Sequence, residues 1–145
     1  MKKKSISAVL LCAAALAGCK GGGAASGSTA EVTETALTDI HETPETVVNA
    51  YFDAVFGGDI DALMLCCDPE DPDLDIEAMR AGSTAFYGSE EYKQWLQTTT
   101  RPVIMDIEYS DDFSLADVIY EFESAGEPQT DNTTVHCRDG KWYMD

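Results

Sequence analysis

The chain has 145 residues, of which 27 are acidic and 9 are Lys or Arg, and its formal net charge is −18. Because Lys and Arg are the residues that bind phosphate groups, this balance excludes nucleic acid as an expected partner and disfavours adhesion to anionic lipid headgroups. The stretch from Glu42 to Asp145 suits one small domain with a modest hydrophobic core.

The first residues have the composition of a secretory signal. Three lysines at positions 2–4 precede an apolar stretch from Ile6 to Leu16. A basic end followed by a short apolar segment is typical of a cleaved export signal, since a helix that spans a bilayer needs about 20 apolar residues. The segment therefore predicts export rather than a transmembrane helix.

The segment Leu16-Ala17-Gly18-Cys19 closes the apolar stretch with small residues and a cysteine. It resembles the lipobox of bacterial lipoproteins. That resemblance implies that the chain is cut before Cys19 and that the Cys19 sulfur carries a diacylglyceryl group. Residues 1–18 would then be the signal peptide, and the N-terminal lipid would hold the protein on the membrane outside the bacterial cytoplasm. An ordinary signal with a chance cysteine is the alternative.

Residues 19–41 are predicted to form a flexible tether. They are rich in Gly, Ala, Ser and Thr and have few large apolar side chains, so burial would not offset the entropy lost on ordering. A coil of this composition has a mean span of about 25 Å, which would lift the domain, residues 42–145, off the membrane. Loss of the three signal lysines leaves six basic residues against 27 acidic ones, a net charge near −21.

Cysteine usage leaves two alternatives open. Of the five cysteines, Cys12 would leave with the signal and Cys19 would carry the lipid. The other three are Cys66, Cys67 and Cys137. Export permits a disulfide, and a bridge between Cys67 and Cys137 would close about 70 residues and stabilise the fold by about 4 kcal/mol. The other alternative is three buried thiols in a reducing environment. A metal site is not expected, because no His or Cys has zinc-like spacing, and no cofactor is expected either.

Two helices are predicted at the start of the domain. Thr43 suits the N-cap position and Pro44 the first helical position. An apolar stripe at helical spacing follows, formed by Val48, Tyr51, Phe52 and Val55. Gly57-Gly58 would end this helix and Asp59 would cap the next one. The buried side of the second helix would carry Ile60, Leu63, Met64 and Cys67.

The acidic run 68–77 is interpreted as a surface loop that leads into a third helix, Leu74 to Phe86. Its alternating aspartates at positions 71, 73 and 75 are similar to the start of a calcium loop. The later glycine and glutamate of such a loop are missing, because Ile76 and Gly82 occupy those positions. Ser89 is expected to cap a fourth helix, in which one face is shared by Tyr92, Trp95 and Leu96.

The last third of the chain alternates with the period of β-strands. Two predicted strands direct apolar side chains at the helices: Val103, Met105, Ile107 and Tyr109, then Ala116, Val118, Tyr120 and Phe122. The opposite face would carry five carboxylates, with three bases facing them. These are Asp106, Glu108, Asp117, Glu121 and Glu123, with His136, Arg138 and Lys141. Asp139-Gly140 predicts a two-residue hairpin turn between two final strands. Helices followed by an antiparallel meander give an α+β fold.

Three short motifs mark the ends of this domain: Thr43-Pro44, Gly58-Asp59 and Asp139-Gly140-Lys141-Trp142. With them the domain resembles the nuclear transport factor 2-like family, and in particular small lipoprotein-borne members of unknown function. The likeness covers roughly residues 42–145. It implies a curved antiparallel sheet wrapped on N-terminal helices, which makes a cone with a pocket at its open end. Related folds host enzymes, scaffolds and binding modules, so the fold alone does not select a function.

The sequence favours a non-catalytic module that binds a small ligand, a peptide or another envelope protein. Five aromatic side chains would either line an apolar pocket or form the core. They are Tyr51, Trp95, Tyr109, Tyr120 and Trp142. The alternative is an isomerase-like or hydrolytic enzyme. It is disfavoured because the sheet carboxylates and His136 are expected to point away from the pocket, which leaves ionisable groups only at its rim. Self-association through the exposed sheet face is a third alternative, which the acid excess makes unfavourable.

Overall fold

The computed structural model describes residues 39–145. Four helices precede four strands: α1 (Pro44–Gly57), α2 (Ile60–Leu65), α3 (Ile76–Tyr87), α4 (Glu90–Thr98), β1 (Val103–Tyr109), β2 (Leu115–Ser124), β3 (Glu127–Arg138) and β4 (Lys141–Met144). The predicted α+β class is confirmed. The signal, the lipid site at Cys19 and most of the tether lie outside the described residues. No helix within 39–145 combines the length and the apolarity needed to cross a bilayer.

Local capping rules set the start of each helix. The Thr43 hydroxyl accepts from the Thr46 N–H at 3.1 Å, and the Thr46 hydroxyl accepts from the Thr43 N–H at 3.0 Å, so α1 begins with a reciprocal capping box. Gly58 ends α1 with a φ of +65°, a left-handed conformation that favours glycine. Asp59 caps α2 and Ser89 caps α4, as predicted. Asp75 caps α3 in the same way.

The strands form an open antiparallel meander in the order β1-β2-β3-β4. The β3–β4 turn places Asp139 at a φ of +52° and Gly140 at +78°, which are the two left-handed positions of the predicted hairpin. A single parallel backbone bridge joins Cys67 to Met144. The segment that follows α2 therefore lies alongside β4.

The helices cover one face of the sheet. α1 contacts β4, β1 and β2, and the apolar stripe of α1 is buried against the inward side chains of β2. These residues are Val48, Tyr51, Phe52, Val55, Ala116, Val118, Tyr120 and Phe122. The ring of Phe52 meets the ring of Tyr120 edge-on, with 5.0 Å between their centroids. Burial of this apolar surface is the main favourable contribution to folding.

A β-bulge changes the facing of side chains in the first half of β1. The register against β2 shifts between Ile104 and Asp106, so Met105 is the extra residue. Ile104 and Ile107 consequently face the helices, whereas Val103 and Met105 are 61% and 57% exposed. The prediction that Val103 and Met105 point inward was wrong, because an inserted residue reverses the facing of all residues on one side of it.

The domain begins earlier in the chain than the sequence predicts. The carbonyl of His41 accepts from the Trp142 N–H at 2.9 Å, and the ring Nδ1 of His41 donates to the Trp142 carbonyl at 2.7 Å. Ile40 packs against the core, and Asp39 pairs with Lys141 at 3.6 Å. Residues 39–41, which were assigned to the tether, are therefore part of the folded domain.

The bulge predicts unequal effects for two neighbouring substitutions. Ile104→Ala removes apolar contacts with the core and should lower the free energy of unfolding by about 1–2 kcal/mol. Met105→Ala removes an exposed side chain and should change it by less than about 0.5 kcal/mol. Urea unfolding followed by circular dichroism measures both values. A larger effect at Met105 than at Ile104 would favour the uninterrupted alternation instead.

Candidate functional site

The sheet face that points away from the helices carries carboxylates in direct register. Glu108 of β1 lies opposite Asp117 of β2, and Asp106 lies opposite Ile119. Like charges that face each other across strands repel, so the Glu108–Asp117 pair lowers stability. The hydroxyl of Thr134 donates to Asp117 at 2.6 Å and satisfies one of its oxygens. The predicted acidic face is confirmed, and a pair of facing carboxylates lies on it.

A groove with a volume of about 370 Å³ lies on this face, lined in part by Glu108, Leu115, Asp117 and Thr134. An adjoining depression of about 340 Å³ shares Glu108 and Asp117 and includes Ile119. We call the two together the acidic groove. Both volumes fall in the range of about 300–1,000 Å³ that is usual for ligand sites.

Aliphatic side chains are interspersed with the carboxylates of the acidic face. Leu115, Ile119 and Val103 all point to this face by their strand register. Leu115 is 43% exposed and Val103 is 61% exposed, whereas Ile119 is half-buried opposite Asp106. The face therefore combines aliphatic and acidic groups.

The cations of the described chain are engaged away from the acidic groove. Three of them pair with carboxylates on helices at 2.6–2.7 Å: Arg80, Lys93 and Arg101. Arg138 pairs with Asp68 at 2.9 Å, and Lys141 pairs with Asp39 at 3.6 Å. The prediction that Arg138 and Lys141 face the sheet carboxylates was wrong, because carboxylates before α1 and after α2 bind them instead. Within residues 39–145, Glu108 and Asp117 have no Lys or Arg partner.

Asp68, in the loop that follows α2, is a buried carboxylate with 1% exposure. It accepts from Arg138 Nε at 2.9 Å and from His136 Nε2 at 3.0 Å, and its other oxygen accepts from the Glu70 N–H at 2.9 Å. The second ring nitrogen of His136 lies 3.3 Å from the carboxylate of Asp145. Sequence reasoning placed Asp68 in a surface loop, and its burial has no local signal because its cationic partners come from β3.

The pKa of the Asp68 carboxyl lies below its ordinary value. Burial by itself would raise this pKa, but the hydrogen bonds from His136 and the Glu70 N–H, together with the charge of Arg138, outweigh burial. Asp68 is therefore ionised at neutral pH and acts only as an acceptor. Nε2 of His136 bonds to Asp68, whereas Nδ1 is buried and makes no hydrogen bond within the described residues, although it lies 3.3 Å from Asp145. The contacts of Asp68 with His136 and Arg138 clamp the loop onto β3.

A small cleft of about 150 Å³ lies beside this cluster, with His41, Lys141 and Tyr143 on its polar side. The ring of His41 is tilted against the ring of Tyr143, with 4.5 Å between their centroids. The cleft has about half the volume of the smallest usual ligand sites. It is therefore a weaker candidate for a binding site than the acidic groove.

The five aromatic residues predicted to line a pocket are divided between core and surface. Tyr51, Trp95, Tyr120 and Trp142 belong to the core and are 1–8% exposed. Tyr109 lies at the end of β1 and is 46% exposed, with its ring centroid 5.8 Å from that of Trp142. The alternative that these rings form the core is therefore confirmed for four of them.

The carboxylate-bearing residue Asp131 lies on the helix-covered face of the sheet, contrary to the prediction. Asp131 of β3 pairs with Tyr120 and shares its face of the sheet. One oxygen of Asp131 accepts from the Asn132 N–H at 2.9 Å, and the other is buried without a hydrogen-bond partner among the described residues. Burial, and to a lesser extent the charge of Asp131, raises the pKa of the Tyr120 phenol, which stays protonated. The expectation that every sheet carboxylate lies on the face away from the helices was therefore wrong for Asp131.

Within the described residues, Cys66, Cys67 and Cys137 form no disulfide with one another. The Cys67 sulfur lies 3.9 Å from the sulfur of Met79, and the Cys67 backbone bridges to Met144 of β4. Cys137 lies on β3, beyond β4, so two strand spacings of about 5 Å each separate it from Cys67. A disulfide needs Cα atoms within about 7 Å of each other. The bridge between Cys67 and Cys137, one of the two alternatives left open by the sequence, is thus not formed in this arrangement. Burial raises the pKa of the Cys66 thiol, which disfavours its reactive thiolate form.

Comparisons with models of protein families, with curated proteins and with solved structures found no match to this chain. The chemistry of its surfaces is therefore the guide to its function.

The Asp68 cluster predicts an acid-sensitive contribution to stability. At neutral pH, Asp68→Asn should lower the free energy of unfolding by about 2–4 kcal/mol, because Arg138 loses its buried counter-charge. Since folding lowers the pKa of Asp68, its contribution is complete above the ordinary value of about 3.9. It disappears as the pH falls below that value towards the folded-state pKa. Urea unfolding of both proteins at neutral and at acidic pH measures the change.

The matched control for this experiment is Asp71→Asn, a substitution in the same loop at a carboxylate that has no ion pair in the described structure. It should stay close to the original protein at both pH values. A deficit of Asp68→Asn that remains equally large in acid would contradict the assignment.

Proposed function

We propose that this protein is a lipoprotein anchored through Cys19 outside the cytoplasm, and that its domain binds a peptide or another envelope protein without catalysing a reaction. The order of basic, apolar and small residues before Cys19 supports the anchor. One observation carries the binding role: exposed aliphatic side chains such as Leu115 stand among carboxylates that no cation of the described chain neutralises. Burial of these aliphatic side chains by a partner would be favourable, and the partner could also supply the missing counter-charges.

A partner on the surface has more support than a small ligand inside the domain. Rings that were predicted to line an inner pocket pack against other core rings instead, for example Tyr120 against Phe52 and Trp95 against Phe56. A ligand that entered this region would have to displace well-packed side chains, at a cost of the order of several kcal/mol. The acidic groove requires no such displacement.

We also propose that the domain is a variant of the nuclear transport factor 2-like fold. The Thr43 capping box, the Gly58-Asp59 step and the Asp139-Gly140 hairpin, each formed in the structure, support this assignment. The filled interior would then distinguish this variant from members that have an open pocket.

The alternative function, an isomerase-like or hydrolytic enzyme, has one observation in its favour. This is the unpartnered oxygen of Asp131 beside Tyr120, since a carboxylate of that kind is the usual form of a general base. A base needs space for a substrate next to it. Asp131 lines the 340 Å³ depression, but its unpartnered oxygen is itself buried, on the side of Tyr120, which is only 1% exposed. Binding therefore has the stronger support.

The anchor predicts a defined mature N-terminus. Mass spectrometry of the protein from bacterial membranes should show a chain that begins at Cys19 and carries a diacylglyceryl group. Cys19→Ser should remove the lipid and leave residues 1–18 attached. Cys12→Ser, the matched control within the signal, should be processed like the original chain. Recovery of the original chain with residues 1–18 intact and without lipid would contradict the anchor.

The binding role predicts that one face of the domain is in contact with a partner in cells. A photoreactive phenylalanine analogue in place of Leu115 should give a discrete cross-linked product in the envelope. The same analogue in place of Glu77, an exposed residue of α3, should not. Gel electrophoresis and mass spectrometry of the product measure the difference. Absence of a product at Leu115, or equal products at both positions, would count against the proposal.

A further inference from the structure

We infer that the acidic groove binds a polypeptide segment in which Lys or Arg alternates with apolar residues at every second position. This inference rests on the proposed binding function and names the chemistry of the partner. It follows from the charges of the groove, from the spacing of its aliphatic side chains and from the placement of the cations elsewhere in the domain.

Glu108 and Asp117 create a local excess of negative charge. They face each other across two strands, where side chains in register have Cβ atoms about 5 Å apart. Thr134 donates one hydrogen bond to Asp117, and the remaining acceptors face the groove or solvent. An ammonium or guanidinium group placed between the two carboxylates would replace their repulsion with two attractive contacts. The partner is therefore expected to place a cation at this point.

The aliphatic groups fix the spacing of the partner. Along the outer face of β2, Leu115, Asp117, Ile119 and Glu121 follow one another at every second residue, about 7 Å apart. An extended partner segment presents its own side chains to one face at the same interval. The complementary pattern is a cation, then an apolar residue two positions later, then another cation. Each apolar residue would then cover Leu115 or Ile119 while the cations meet the carboxylates.

Other occupants fit the acidic groove less well. The described residues hold no group of three or more His, Cys, Asp or Glu side chains placed to bind a metal ion. Nucleic acid and anionic lipid headgroups would be repelled by the carboxylates. A second copy of this chain docking face to face would bring Glu108 and Asp117 against their own counterparts. A basic and apolar segment is the partner that satisfies both properties of the groove.

The inference is tested with the full chain in micelles of an uncharged detergent and a fluorescent peptide that repeats Lys-Ser-Leu-Ser. Anisotropy should show binding that weakens as salt is added. Peptides that repeat Glu-Ser-Leu-Ser or Lys-Ser-Ser-Ser should bind much more weakly, because each lacks one half of the pattern. The double variant Glu108→Gln/Asp117→Asn should weaken the binding of the first peptide about fivefold, as the loss of two exposed ion pairs would. This variant removes a repulsion, so it should fold at least as well as the original chain.

The matched control is Glu77→Gln/Glu91→Gln, which removes the same net charge from exposed residues of α3 and α4. It should change peptide affinity by less than about twofold. Equal weakening by both double variants, or equal binding of the Glu and Lys peptides, would overturn the inference. So would a concentration-dependent dimer in sedimentation that Ile119→Ser abolishes, because the occupant would then be a second copy. A cross-linked partner at Leu115 without any preference for the basic peptide would refute this inference and leave the proposed function standing.

Discussion

The scarcity of positive charge governs how this domain is held together and which surface it leaves without counter-ions. The described chain uses its Lys and Arg side chains to fix loops and helices, and the strongest case is Arg138 on the buried carboxylate of Asp68. An unpaired carboxylate at 1% exposure would be severely destabilising. Asp68 therefore needs a cationic partner more than any exposed carboxylate does. The outer face of β1 and β2 can remain charged because its carboxylates are hydrated. The same constraint therefore explains both the internal clamp and the acidic groove.

Local features were predictable from sequence, and features that depend on distant contacts were not. Thr43, Asp59 and Ser89 act as helix caps, and Asp139-Gly140 forms its hairpin, because a few neighbouring atoms decide these structures. The acidic face was also predictable, since alternation along β2 is uninterrupted.

The facing of Met105 and the burial of Asp68 both depend on contacts with distant parts of the chain. Met105 looks like one more inward residue of an alternating strand, and only its pairing with β2 shows that it is a bulge. Asp68 looks like the start of an exposed acidic loop, and only the return of the chain at His136 and Arg138 makes it a buried ion pair. The candidate site depends on both of these features. Its carboxylates could be identified from sequence, whereas the exposure of Val103 and the diversion of the cations required the fold.

The clamp at Asp68 also has a mechanical consequence. The chain enters the domain beside β4, where His41 pairs with Trp142, whereas the acidic groove lies on β1 and β2. If the proposed anchor and the proposed partner were pulled apart, the force would act across the strands. Each pair of strands would then carry the same load, and the pair with the fewest hydrogen bonds would separate first. The β3–β4 ladder has four residue pairs against ten for β2–β3. By tying β3 to the segment on the far side of β4, Asp68 reinforces the sheet at the joint most exposed to such a pull.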